Sequence, residues 1–229
     1  MWKNYRTYTL LAIFLVVGGG GGYLWFNTRN PVTKYEIDPS DFLNGDELIK
    51  DIPESQLSES EIQGLILMRE EEKLARDVYK TLGEKWNANI FINIAGSEQT
   101  HTDAVKDLID RYGLDDPVTD ESVGVFTSSI ISELYDTLVT QGDSSLIDAL
   151  IVGATVEDLD INDLNELSNE TDNPDIIVVY KNLNKGSRNH LRAFVSQIES
   201  LGGEYSPQYI SQELHEQIIT SEQERGSIG

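Results

Sequence analysis

Residues 91–113, FINIAGSEQTHTDAVKDLIDRYG, decide how the rest of the chain reads. Phe91, Ile94, Ala95, Val105, Leu108, Ile109 and Tyr112 recur at helical spacing and form one apolar stripe. A helix is expected over 88–112, ending at Gly113. Glu98 and His101 interrupt the stripe on its own face. Three residues apart, their side chains lie on one side of one turn. A carboxylate buried alone is very costly, so such groups are paired, neutralised or bound to metal.

Three other segments carry the same signature. Ser58 and Glu61 have capping-box spacing and open a helix expected over 59–82, stopped by Gly83. Its stripe is Leu67, Met68, Leu74, Ala75, Val78 and Leu82, and at about 100° per residue Glu71 falls at its centre, with Glu70 and Glu72 to either side. A third long helix is expected from near Ser144 to about 168, with Glu157 central on its stripe and Asp160 one turn on, at the stripe edge. A fourth starts at Asn173-Pro174, an N-cap followed by proline at the first helical position, and ends at Gly202-Gly203. His190 is central there, with Ser187 one turn before it.

A segment of about thirty residues separates the second long helix from the third; it contains Pro117 and a short amphipathic helix over 128–141. A connection of that length can cross the length of a bundle. The expected fold is therefore all-α, an antiparallel four-helix bundle over 58–205 with a long crossover between its second and third helices. The polar stripe positions fall near mid-helix, so antiparallel neighbours bring them to one level. A cation there accounts most simply for several carboxylates at that level. A core histidine paired with a buried glutamate satisfies both groups without metal, and Glu-x-x-His alone is a weak motif. Its weight comes from the agreement of the other helices.

Three stretches, LMREEEKLARDVY (67–79), FINIAGSEQTHTDAVKDLIDRYG (91–113) and YKNLNKGSRNHLRAF (180–194), resemble a family of uncharacterised bacterial and archaeal proteins, domain of unknown function 2202, within the ferritin-like superfamily. The resemblance covers about residues 58–220 and implies a ferritin-like bundle, with no established activity attached. Ferritin-like di-iron proteins supply a Glu from each of two helices and Glu-x-x-His from each of the other two. Matched residue by residue, the resemblance implies Glu71, Glu98, His101, Glu157 and His190 as metal ligands. Ser187 stands where the last Glu belongs, and Asp160 is the candidate substitute. Two iron ions are the expected cofactor, with manganese or zinc as alternatives for such oxygen and nitrogen donors. The expected chemistry is iron oxidation or oxygen and peroxide reduction by a di-iron oxidoreductase. The alternative is a metal-binding or interaction module on the cell surface, without turnover. Tyr79, Tyr112 and Tyr180, on or beside the stripes, are read as core tyrosines with satisfied hydroxyls, the alternative being hydrogen bonds to ligands or electron transfer.

Composition sets limits. No cysteine is present, which excludes disulfides, thiolate metal sites, iron–sulfur clusters and cysteine nucleophiles. A net charge of −23, from 40 acidic and 17 basic residues, argues against nucleic acid as a partner. Residues 8–26, YTLLAIFLVVGGGGGYLWF, carry no charge, and at about 1.5 Å per residue they approach the thickness of a bilayer. Aromatics flank them, and Lys3 and Arg6 precede them. Residues 1–27 are thus read as a single transmembrane anchor with the bundle outside the cytoplasm; the alternative is a cleaved signal and a secreted protein. Residues 28–57, with Pro31, Pro39 and Pro53, read as a polar linker. Residues 206–229 read as a tail with a short docked helix, and His215 within it as a surface residue. The expected partners are metal ions and the membrane, with a homodimer as a further candidate.

Overall fold

The structure is a computed structural model that describes residues 44–226 and 228. The expected anchor, and the linker before residue 44, lie outside the described residues; none of the described helices is long and apolar enough to cross a membrane. Among the described residues there are seven helices and no strand: α1 (Gly45–Ile49), α2 (Glu59–Trp86), α3 (Asn89–Arg111), α4 (Ser129–Gly142), α5 (Leu146–Asn169), α6 (Pro174–Ser200) and α7 (Gln212–Thr220).

Four long helices, α2, α3, α5 and α6, make the core, and residue pairs along them fix its topology. On α2 and α3, Arg69 meets Thr102 and Tyr79 meets Phe91, so the pair is antiparallel. On α3 and α6, Tyr112 bonds Asp175 and Phe91 meets Phe194. On α5 and α6, Asp160 meets Ser187 and Gly153 meets Phe194. On α2 and α5, Leu167 packs over Gly64 while Trp86 Nε1 donates to Gly142 O just before α5 begins. Every adjacent pair runs antiparallel. It follows that α3 and α5 are parallel, and the segment containing α4 carries the chain back along the core. This is the long crossover expected from the loop length.

Helix ends follow local chemistry. Ser58 and Glu61 form the capping box read from their spacing. The other oxygen of Glu61 accepts hydrogen bonds from Thr171 and Asn173, which ties the start of α2 to the α5–α6 turn. Burial works against its ionised form, but these hydrogen bonds outweigh it and hold the pKa of Glu61 below the usual glutamate value. A depressed folded pKa means that its stabilisation is present above the unfolded pKa and is lost as pH falls through the folded value. Glu61→Ala is expected to cost about 1–2 kcal/mol at neutral pH. The difference from wild type should shrink once pH drops below about 4.3. Urea unfolding of both proteins across the acid range reads this directly, and a pH-independent difference would count against the assignment.

Three expectations are corrected. Gly83 does not end α2; the helix continues to Trp86, and Asn87 caps it in the left-handed conformation at φ 47. Gly83 serves packing instead, since a Cβ there would lie 3.1 Å from that of Phe91. The described part of the linker is not without core: α1 buries Ile49 in the apolar layer formed by Leu65, Met68, Leu108, Leu164 and Val179. Arg111 donates to Ile49 O, which holds α1 to the end of α3. The tail's helix, α7, packs against α6, and His215 on it is buried rather than exposed, with its ring 5.7 Å from that of Tyr205. Asp158, fully buried on α5, is the reason: its carboxylate accepts bonds from Tyr205 Oη and from the backbone N–H groups of Gln208, Tyr209 and Ile210.

Candidate metal centre

The centre lies at mid-core, where α2 supplies Glu72, α3 supplies Glu98 and His101, α5 supplies Glu157 and Asp160, and α6 supplies His190. All six are buried, none more than 8% exposed. Ligand atoms converge in two overlapping groups, Glu72–Glu98–His101 and Glu98–Glu157–His190, each within 4.8 Å. His101 Nδ1 is 2.8 Å from Glu98 Oε2 and 3.4 Å from Glu72 Oε2. His190 Nδ1 is 2.7 Å from Glu98 Oε1 and 3.5 Å from Glu157 Oε2. Glu98 therefore belongs to both groups. The imidazole rings stack, with centroids 5.5 Å apart.

Closeness here is not the same as hydrogen bonding. Glu98 Oε1 and His190 Nδ1 sit at contact distance, yet neither finds a partner in hydrogen-bond geometry. Glu72 Oε1, His101 Nδ1, His101 Nε2 and Asp160 Oδ1 are also buried without a hydrogen bond. Buried polar atoms are normally satisfied, and each exception calls for an explanation. A set of such atoms gathered on one centre has the donor chemistry of a cation site. Four carboxylates would balance two divalent cations.

Electrostatics agree. Burial, opposed by His101 and reinforced by Glu98, pushes Glu72 up to about 8. Burial and the Glu98 charge, against His190, push Glu157 up to about 7. Asp160 is raised well above the usual aspartate value by burial and by the charges of Glu72 and Glu157. Glu98 moves the other way: burial opposes its charge, but His101 and His190 outweigh it and hold it well below the usual range. Burial works against charge on His190, yet Glu98 and Glu157 lift it to about 10. Protons and metal ions thus compete for the same atoms.

Side chains around the centre orient it. Tyr79 Oη donates to Glu157 Oε1 at 2.5 Å, and Ser97 Oγ lies 3.1 Å from His190 Nε2. Ser187 Oγ donates to Asp160 Oδ2. On one side Tyr79, Phe91 and Phe194 pack their rings with centroids 5.3–6.0 Å apart. On the other lies the apolar layer around Met68 and Leu183. Gly186 permits α6 to pass close to His101, since a Cβ there would lie 2.5 Å from Cε1 and Nε2.

Glu98, His101, Glu157 and His190 stand where the sequence reading put them. Asp160 is buried one turn on from Glu157 and bonded by Ser187, but it belongs to neither group. Glu71 is not at the centre: Glu72 takes the place on α2, while Glu71 is only partly buried and lies beside Asp163. Two residues misled the helical wheel. Leu67, counted in the stripe, is half-buried, while Tyr79, on or beside it, is fully buried; together they rotate the true face toward Glu72. Glu70 is buried as well, accepting the N–H groups of Thr127 and Ser128 where α4 begins. Ser97 carried no sequence signal beyond lying next to Glu98.

Against this geometry, the sequence profile of an uncharacterized protein domain, DUF2202, matches residues 61–222. The chain belongs to the DUF2202 family. Uncharacterized protein MJ0754 of Methanocaldococcus jannaschii is 58% identical over 180 residues, 79% of this chain and 97% of that protein. A crystal structure of hypothetical protein MJ0754 from Methanococcus jannaschii DSM 2661 matches with a TM-score of 0.75 and 58% identity, covering 76% of this chain and 99% of that one. The matched DUF2202 segment contains all of the four long helices except the first two residues of α2, and every residue of the candidate centre.

Proposed function

We propose that this DUF2202 protein is a ferritin-like metalloprotein whose four long helices hold a pair of transition-metal ions, iron foremost, for reaction with dioxygen or peroxide. One observation carries the reading: two imidazoles and three carboxylates meet in a buried centre with ligand atoms that lack hydrogen-bond partners, and Asp160 Oδ1 is buried without a partner as well. Glu72, Glu98, His101, Glu157, Asp160 and His190 would hold the ions. Two ferrous ions together supply two electrons, the number that takes dioxygen to the level of peroxide. The protein's part is to hold its donors in place. Ser97 fixes the ring of His190, Tyr79 fixes Glu157, and Ser187 bonds Asp160 from the position where a fourth-helix carboxylate is absent. The aromatic trio and the layer around Met68 keep bulk water out. The uncharged run 8–26 supports a membrane tether for the bundle.

Metal analysis tests this. Full-length protein purified without chelators and reconstituted with ferrous iron is expected to retain two ions per chain, and less than one would overturn the proposal. Oxygen consumption on adding ferrous iron separates turnover from the second reading, a metal-binding module without turnover, which Ser187 at the missing carboxylate position favours. That module would show metal-dependent stability and no oxygen uptake.

Gly186→Ala is a second probe. The new methyl group would press on the His101 ring from a rigid helix. Overpacking costs about 1–3 kcal/mol. A gain of about 1 kcal/mol from replacing helical glycine offsets part of it. The protein is expected to stay folded, melt slightly lower and lose the ion that His101 holds. Metal stoichiometry alongside a thermal melt checks both effects.

A further inference from the structure

We infer that the two halves of this centre bind metal unequally: the Glu98, Glu157 and His190 half takes the first ion, and the Glu72, Glu98 and His101 half takes the second. The inference rests on the metal-centre reading above. Glu98 is common to both halves, so any difference comes from the residues they do not share.

In the His190 half, both unshared ligands are braced. Ser97 Oγ meets His190 Nε2 at 3.1 Å, which fixes the ring and leaves Nδ1 aimed at the carboxylates. Tyr79 Oη meets Glu157 Oε1 at 2.5 Å and leaves Oε2 toward His190. Tyr79 is itself held in place by the rings of Phe91 and Phe194. In the His101 half, neither unshared ligand is braced at its far atom. His101 Nε2 is buried without a partner, and Gly186 crowds that edge of the ring. Glu72 Oε1 is buried without a partner as well. A histidine that ligates through Nδ1 keeps a proton on Nε2, and here that proton has nothing to bond. Hydrogen-bond partners of this kind are worth about 10–100-fold each in metal affinity. Asp160 belongs to neither group, so it does not enter the comparison.

The test titrates metal-stripped, full-length protein with Mn(II), read by equilibrium dialysis and by electron paramagnetic resonance. Wild type is expected to bind in two steps at least about tenfold apart. At one equivalent the spectrum should be that of isolated Mn(II), with coupled pairs growing in only during the second. Ser97→Ala and Tyr79→Phe, each deleting one hydroxyl, should weaken the first step about tenfold or more and draw the two steps together. Ser97→Thr keeps the hydroxyl and should restore the wild-type first step, an effect that a purely structural role for Ser97 does not predict. Glu72→Gln should remove the second step and leave the first close to wild type. Two ions bound with equal affinity, or a Glu72→Gln variant that loses the first step, would overturn the inequality while leaving the metal centre standing. Protein that binds neither Mn(II) nor Fe(II) would overturn the metal-centre reading itself, and this inference with it.

Discussion

Replacing Glu98 with alanine is expected to abolish uptake of both ions. Glu98 faces both imidazoles, with Oε2 at 2.8 Å from His101 Nδ1 and Oε1 at 2.7 Å from His190 Nδ1. No other carboxylate of the centre reaches both, so its loss cannot be absorbed by one half. The consequence extends to stability, because an ion that binds only the folded chain stabilises it by mass action. At a thousandfold excess over its dissociation constant that gain is about 4 kcal/mol. For a domain of this size, each kcal/mol moves the melting temperature by about 2–4 °C. Wild type should therefore melt about 10 °C higher with Mn(II) than with chelator, and Glu98→Ala should show no such difference. Calorimetric scans of both proteins with and without metal decide the matter; a full metal response in the variant would refute the role assigned to Glu98.

Asp77→Ala is expected to be the most destabilising single change away from the centre. Asp77 is fully buried on the outer side of α2. It accepts from Lys73 Nζ at 2.6 Å, Arg76 Nε at 2.9 Å and the backbone N–H of Gly124 at 3.0 Å. Lys73 and Arg76 are themselves buried, so removing Asp77 strips the carboxylate from between two buried cations. Breaking such a set costs about 3–5 kcal/mol. The backbone bond to Gly124 goes with it, so the crossover should loosen before the four long helices do. Hydrogen exchange read over residues 116–128 should report that loosening, and urea unfolding the total cost. A variant within about 1 kcal/mol of wild type would mean that the network adds little to stability. Arg69 belongs to the same clamp, reaching Asp116 and Glu121 from α2.

The clamp explains one of the errors in the sequence reading. Amphipathic periodicity assumes that one side of a helix meets the core and the other meets water. On α2 that assumption fails between Met68 and Tyr79, because the crossover covers the outer side. Arg69, Glu70, Lys73, Arg76 and Asp77 are polar and buried at once. The three consecutive glutamates accordingly go three ways: Glu70 to the start of α4, Glu71 toward Asp163, Glu72 to the centre. Glu71 and Glu72 differ by about 100° on the wheel, but with polar residues buried on the outer side the apolar stripe of α2 alone points to the wrong one. His215 shows the same limit. It looked like a lone polar residue on a terminal helix, and it is buried because a carboxylate far away in sequence, Asp158, gathers the preceding segment onto α5.

What the sequence determined by itself is the set of local choices. Apolar spacing, the Ser58–Glu61 box and Pro174 marked the helices. The length of the crossover carried the topology, and the polar residues on three of the four stripes, Glu98, His101, Glu157 and His190, marked the level of the centre. These are decided within a few residues of each other by backbone geometry and by the cost of burying charge. Only the tertiary structure decided which glutamate of α2 faces inward, that Ser187 holds Asp160, and that Ser97 and Tyr79 brace one half of the centre and leave the other unbraced. Each of these depends on the rotation of one helix against another. That rotation is set by how all the faces pack together, a property no single segment carries.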